Sequence, residues 1–175
     1  MDNQQKFRKI MKEWVIPVVL EIIVVLFFVK NVAFPIRVPT GSMIPTIDEK
    51  SWLVATRIHN PEKRVERGDI IAFYSDELGK MLIKRCIGLP GETVDIDDDG
   101  QVYIDGELLN EEYVVYHSGV SGHFEVPEGS YFFLGDNRSG SLDARFWEDP
   151  YIPAEKVYGQ AHFALWPLDN FGPLK

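Results

Sequence analysis

From Trp14 to Val29 the chain reads WVIPVVLEIIVVLFFV, and no other stretch limits its possible folds so strongly. Continued through Lys30 and Asn31 to Phe34, the run reaches about the 20 residues needed to cross roughly 30 Å of hydrocarbon. One acid, Glu21, interrupts it. Thirteen Val, Leu, Ile and Phe residues stand between positions 15 and 29. Together they favour insertion by roughly 4 to 8 kcal/mol, against about 2.5 to 3.5 kcal/mol for a mid-span acid. A cleaved secretory signal fits less well. Its apolar core is shorter and ends in a small-residue site such as Ala-x-Ala, whereas this run ends in KNVAFPIRVPT. Residues 14–34 are therefore expected to form an uncleaved transmembrane anchor.

Lys6, Arg8, Lys9 and Lys12 precede the span, which assigns residues 1–13 to a cytoplasmic tail and residues 35–175 to the outside. The outer part holds 13 Lys and Arg against 24 Asp and Glu, a net charge of −11. That balance argues against nucleic acid as a partner and suits a solvated surface. A single cysteine, Cys86, excludes an internal disulfide framework and is expected to be a buried small hydrophobe.

After Pro35 short apolar runs alternate with Gly, Pro and Asp. Strands are expected at 52–55, 69–73, 81–87 and 131–134, and at 157–165, where a strand could close the sheet. Segments 93–96 and 101–104 flank an Asp-Asp-Gly turn, a hairpin signal. With no amphipathic helix in sight, residues 35–175 are expected to fold as one compact all-β domain.

No pair of the four histidines, His59, His117, His123 and His162, has metal-ligand spacing. Asp95, Asp97, Asp99 and Gly100 imitate the start of a calcium loop, but the twelfth position is Gly106 and the flanks look like strands. No metal and no cofactor are expected. Arg67-Gly68-Asp69 reads as a turn into a strand rather than an adhesion tripeptide.

Two segments are odd for structure alone. In Val38-Pro39-Thr40-Gly41-Ser42-Met43-Ile44-Pro45-Thr46, prolines bracket a serine and are expected to keep the segment extended, with Gly41 allowing close backbone approach. An extended substrate could pair beside it. In the strand Met81–Ile87, Leu82, Lys84 and Cys86 share a face, so Lys84 lies between apolar neighbours. Burial disfavours its charged form, and a shift of about 2 units from 10.4 would make it a base. Taken singly, the first segment also reads as an ordinary Pro-Gly loop and the second as a snorkelling edge lysine.

Together these segments resemble the bacterial type I signal peptidases, or leader peptidases, in their compact Gram-positive form. The resemblance rests on Gly41-Ser42-Met43-Ile44-Pro45-Thr46, Arg67-Gly68-Asp69-Ile70-Ile71-Ala72-Phe73, Lys84-Arg85-Cys86-Ile87-Gly88-Leu89-Pro90-Gly91-Glu92 and Gly135-Asp136-Asn137-Arg138 with Ser141, Asp143 and Arg145. It implies a membrane-bound serine endopeptidase that removes signal peptides from exported preproteins, cleaving after Ala-x-Ala. Ser42 would be the nucleophile and Lys84 the base. Thr40 and the Ser42 N–H would hold the oxyanion, and Ser141 would orient the lysine amine. Asp143 and Arg145 match an ion pair, and Arg85 is expected to pair with Asp136. Val38, Met43, Ile47, Leu82 and Ile83 match positions that shape small apolar pockets.

The enzyme is expected to act as a monomer at the bilayer, with Trp52 or Phe146 dipping into the interface. Two departures stand out: Ala144 replaces a frequent serine, and Glu21 has no account. A self-cleaving serine-lysine peptidase of the repressor kind lacks its DNA-binding segment here. A β-domain that only binds would leave the coincidence of four motifs unexplained.

Overall fold

The computed structural model of the chain describes residues 3–174, so the expected outer limits at residues 1 and 175 lie outside the described residues. The chain divides into two compact units after Phe34.

The first unit is helical. Helix α1 spans Asn3–Ile10 and α2 spans Ile16–Asn31, joined by five π-helical residues, Met11–Val15. Ile10 and Ile16 keep right-handed helical angles, so the helical path runs through both joints. Pro17 accounts for the widened turn. It has no N–H for the carbonyl four residues back, and its ring crowds that turn. The Ile16 N–H bonds instead to Met11 O, five residues back. The expected uninterrupted span is thus divided. Among the described residues no helix is long and apolar enough to cross a membrane. With 16 residues, α2 rises about 24 Å against roughly 30 Å of hydrocarbon. It stops at Asn31, short of the expected residue 34. None of its side chains is buried, and Glu21 is exposed like its neighbours.

The second unit is mostly β, as expected. Its strands are β1 (Ala33–Arg37, crossing the division), β2 (Trp52–Arg57), β3 (Ile70–Ser75), β4 (Lys80–Gly88), β5 (Thr93–Ile96) and β6 (Val102–Ile104). They continue as β7 (Glu107–Leu108), β8 (Gly122–Glu125), β9 (Ser130–Leu134), β10 (Tyr151–Pro153), β11 (Val157–Trp166) and β12 (Gly172–Pro173). An eight-stranded sheet runs β1-β2-β11-β3-β4-β9-β10, with β12 beside β11, and a four-stranded sheet runs β7-β6-β5-β8. The seven expected strands all form. The strand expected to close the sheet is central instead, because β11 lies between β2 and β3. Val157, Gly159, Ala161 and Ala164 are its buried residues.

The five strands the sequence did not announce have two to five residues each, and none of them is an unbroken apolar run. The two acidic motifs are both turns. Gly68 takes φ +93°, its N–H bonds Cys86 O, and Asp69 O accepts from Cys86 N–H, so the tripeptide seats β3 against β4. Asp97 Oδ1 accepts from the N–H groups of Asp99 and Gln101, and Gly100 takes φ +79°, which makes the β5–β6 hairpin.

The core joins the two sheets. Ile71 and Phe73 of β3, Cys86 and Ile87 of β4 and Phe132, Phe133 and Leu134 of β9 pack with Val94, Ile96, Val102 and Ile104 of the smaller sheet. Burial pushes the Cys86 thiol up, which keeps it protonated and inert. Phe73 stacks on Phe133 at 4.4 Å between centroids, with Trp147 edge-on to Phe73 at 6.2 Å. A Cβ on Gly88 would stand 2.7 Å from Val94 Cγ2 and 2.8 Å from Val126 Cγ2, so the small sheet can close onto β4 only over a glycine. Removing a fully buried ring from this junction leaves a cavity. Phe133→Ala is expected to lower stability by about 3 to 5 kcal/mol, read from denaturant unfolding in detergent.

Candidate active site

The serine segment is held at both ends before its chemistry begins. Val38 N–H bonds Ser51 O at 2.9 Å, and Lys50 N–H bonds Val38 O at 2.7 Å. Beyond Gly41 the chain does not stay extended as expected. Residues 42–46 form a turn, closed by Ile44 N–H to Gly41 O and Ile47 N–H to Met43 O. Met43 and Ile47 are sealed in the interior, so burying them rolls the chain over and fixes Ser42 between them and Gly41. Thr40, two residues earlier, is exposed.

Lys84 comes from the middle of β4, where Ile71 is its cross-strand partner and Leu82 and Cys86 flank it on the same face. It is 3% exposed and Ser42 7% exposed. Lys84 Nζ donates a hydrogen bond to Ser42 Oγ. Burial pulls the lysine down to about 8, while the carboxylates of Asp143 and Asp136 pull the other way and Lys80 and Arg145 add a little to the fall. Apolar walls and modest nearby charge thus leave the amine near the point where it gives up its proton.

The segment after β9 closes the site from the other side. Asn137 donates from its backbone N–H to Ser42 O and from Nδ2 to Gly41 O, each at 3.1 Å. Gly135 lies so close that a Cβ there would collide with Ser141 and with Ser42 O. Ser141 is buried and its Oγ has no hydrogen-bond partner, so the structure brings it to the site without bonding it to Lys84.

Three buried arginine–carboxylate forks brace this arrangement. Arg85 holds Asp136 through Nε at 2.8 Å and Nη2 at 2.6 Å, and Asp136 Oδ2 also accepts from Thr46 Oγ1 at 2.5 Å. Arg145 holds Asp143 at 2.8 and 2.9 Å, and Asp143 Oδ2 accepts from Gly135 N–H at 3.0 Å. Arg138 holds Glu111 at 2.8 and 2.5 Å. The two pairs expected from sequence are therefore in contact, and the third joins Arg138 of a recognised motif to Glu111 from outside them. Glu111 and its neighbour Tyr113, whose ring lies 3.9 Å from the Arg85 guanidinium carbon, carried no signal in sequence: one acid and one aromatic in a loop. Asn137, Arg138 and Thr46 lie within the quoted motifs but had no assigned role.

The apolar candidates separate. Val38, Met43, Ile47 and Ile83 are buried, whereas Leu82 is half-buried against the core. Adjacent strand residues point to opposite faces, so Leu82 lies on Lys84's side of β4 and Ile83 on the other. Trp52 and Phe146 are exposed. Ala144 is buried within the short helical turn that Asp143 caps through the Arg145 N–H.

Residues 11–166 match the family described as signal peptidase, peptidase S26. A signal peptidase I of Leptolyngbya laminosa is 37% identical over 146 residues, covering 78% of this chain and 70% of that protein. The signal peptidase I of Bacillus licheniformis is 32% identical, covering 90% of each chain. The signal peptidase I U of Bacillus subtilis strain 168 is 35% identical and spans 98% of this chain and 96% of its own, so the likeness includes the N-terminal helices. The chain belongs to the bacterial type I signal peptidases, peptidase family S26, and is a serine endopeptidase.

Proposed function

We propose that the chain removes N-terminal signal peptides from exported precursors, with Ser42 as nucleophile and Lys84 as general base. The observation that carries this reading is the hydrogen bond from Lys84 Nζ to Ser42 Oγ between two buried side chains. A lysine near 8 is partly neutral at mildly alkaline pH and has the basicity that proton transfer from a hydroxyl requires. Neutral Lys84 takes the proton as Ser42 Oγ bonds to the scissile carbonyl carbon. The proton then passes to the leaving amine as the C–N bond breaks. Water, deprotonated by Lys84, hydrolyses the acyl-serine ester. The Ser42 N–H and the exposed Thr40 hydroxyl serve as the oxyanion donors, and Ser141, with its unengaged Oγ, orients the lysine amine.

Val38, Met43, Ile47, Leu82 and Ile83 shape pockets that admit only small side chains, hence cleavage after Ala-x-Ala. The mechanism draws on the chain's own side-chain and backbone groups, with no metal and no cofactor.

The segment from Trp14 to Phe34 anchors the chain in the cell membrane, as a monomer, with the basic N-terminus in the cytoplasm and residues 35–175 outside. Two features support this. The apolar side chains of α2 are all exposed, and the helical path continues through the π turn, so Trp14 to Asn31 spans about 27 Å. A modest mismatch is met by local thinning. Exposed Trp52 and Phe146 then contact the interface.

In detergent, Ser42→Ala and Lys84→Ala are each expected to lower kcat on a secretory precursor by about 10⁴-fold or more, with a chelator having no effect. Normal turnover by either variant sinks the dyad. Activity should rise with pH through a midpoint near 8, because the protonated lysine below it cannot accept a proton. A flat profile between pH 6 and 9 contradicts a lysine base. After alkaline carbonate extraction, the full chain should stay with the membrane pellet, and its appearance in the supernatant would refute the anchor.

A further inference from the structure

Residues 109–117, between β7 and β8, lie in no strand, yet two of their side chains reach the supports of the candidate dyad. Tyr113 covers the Arg85 guanidinium at 3.9 Å, and Arg85 adjoins Lys84 in β4. Glu111 grips Arg138 with both oxygens. Arg138 Nε in turn holds Gly135 O at 3.1 Å, and Arg138 O accepts from Arg145 Nη2 at 2.8 Å. The Tyr113 hydroxyl donates to Glu111 Oε1 at 2.6 Å, which ties the two grips together. Ser139 N–H also bonds Tyr116 O at 3.1 Å.

We infer that Glu111 and Tyr113 form a clasp that positions the Lys84–Ser42 pair, by locking strand β4 to the 135–145 loop. The proposal rests on the dyad reading above.

The clasp acts through two routes. In one, Tyr113 packs on Arg85, Arg85 holds Asp136, and Asp136 accepts from Thr46 on the Ser42 turn. In the other, Glu111 fixes Arg138, which holds Gly135, the residue packed against Ser42 O and Ser141. Each route includes a loop carboxylate: Asp136 in the first, and Asp143, which accepts from Gly135 N–H at 3.0 Å, in the second. Burial is the main cause of the fall in the lysine's basicity, and Asp136 and Asp143 are the anions that oppose it, so moving them away deepens the fall. The arrangement is strong for a loop because the Arg138–Glu111 fork is nearly dry, with side-chain exposures of 3% and 9%. Tyr113 cannot compete as an anion. Burial, then the nearby charge of Glu111 and the hydrogen bond to it, keep its phenol protonated and donating. On its outer side Tyr113 shares an open groove with Pro45 and Thr46 of the serine turn, so the clasp and the turn are neighbours across it.

A residue that only stabilises the fold would lower the amount of active enzyme and leave its pH dependence alone. A clasp that places the carboxylates does more. When it loosens, Asp136 and Asp143 drift, the lysine ammonium loses stabilising charge, and the acid limb of activity moves to lower pH.

The test compares Glu111→Gln, Tyr113→Phe and Tyr113→Leu in the full-length enzyme in detergent, each checked for folding by near-UV circular dichroism, with Ser42→Ala alongside. Glu111→Gln and Tyr113→Leu are expected to lower kcat about ten- to a hundredfold with little change in KM, as a misplacement near 1 Å does. Their acid limbs should shift to lower pH. Tyr113→Phe keeps the ring on Arg85 and should recover most of the loss. If Tyr113→Leu does not fold, Glu111→Gln decides. An acid limb that stays at the native midpoint, or moves to higher pH, in folded Glu111→Gln or Tyr113→Leu overturns the clasp whatever kcat does. A Ser42→Ala enzyme that remains active overturns the dyad reading instead.

Discussion

A lysine amine shut away from water is the condition on which the rest of this site depends. Exposed, Lys84 would hold its proton at any physiological pH and could only act as a cation. At 3% exposure, among Ile71, Leu82 and Cys86, it is drawn from 10.5 to about 8. That displacement costs folding about 3 kcal/mol while the lysine is protonated. The sign follows from linkage. The cost is full below pH 8, shrinks as pH rises through the window from 8 to 10.5, and is gone above it. The fold thus carries a standing penalty at neutral pH, and the aromatic core beneath β4 has to outweigh it.

Apart from the unengaged Ser141 Oγ, the charged groups around the lysine are arranged so that none adds a second penalty. The side chains of Arg85, Arg138 and Arg145 are each shut away from solvent, and each meets a carboxylate in a two-point fork. Such pairs add little net stability compared with apolar packing, but losing one member leaves an uncompensated charge. Their effect is therefore geometric. They fix the 135–145 loop against β4 and the serine turn, and Asn137 completes the contact by holding the two carbonyls that flank the Ser42 peptide. Chemistry that needs Ser42 and Lys84 in register depends on this loop as much as on the two residues themselves.

Short apolar runs bounded by Gly, Pro and Asp made β2, β3, β4, β9 and β11 legible. Short strands such as β7 and β12, two residues each, owe their existence to the neighbour they pair with. The N-terminal run was read as one span because composition counts residues, whereas Pro17 acts on a hydrogen bond and opens a π turn before it. The serine segment was read as extended because proline restricts φ. Met43 and Ile47 were stronger, and their burial curls it into a turn.

The sequence by itself determined the apolar N-terminal segment and the mostly-β class, because these depend on residue type and local spacing. The pairing of a serine box with a lysine box, and the expected pairs Arg85 with Asp136 and Arg145 with Asp143, came through the resemblance to the signal peptidases. What only the tertiary structure decided is contact between distant segments: the meeting of Lys84 with Ser42, 42 residues apart, the central position of β11, and the reach of Glu111 and Tyr113. The physical reason is common to all of them. A lysine's basicity and a loop's position are set by what packs against them, and the groups that do so here come from parts of the chain that no local pattern connects.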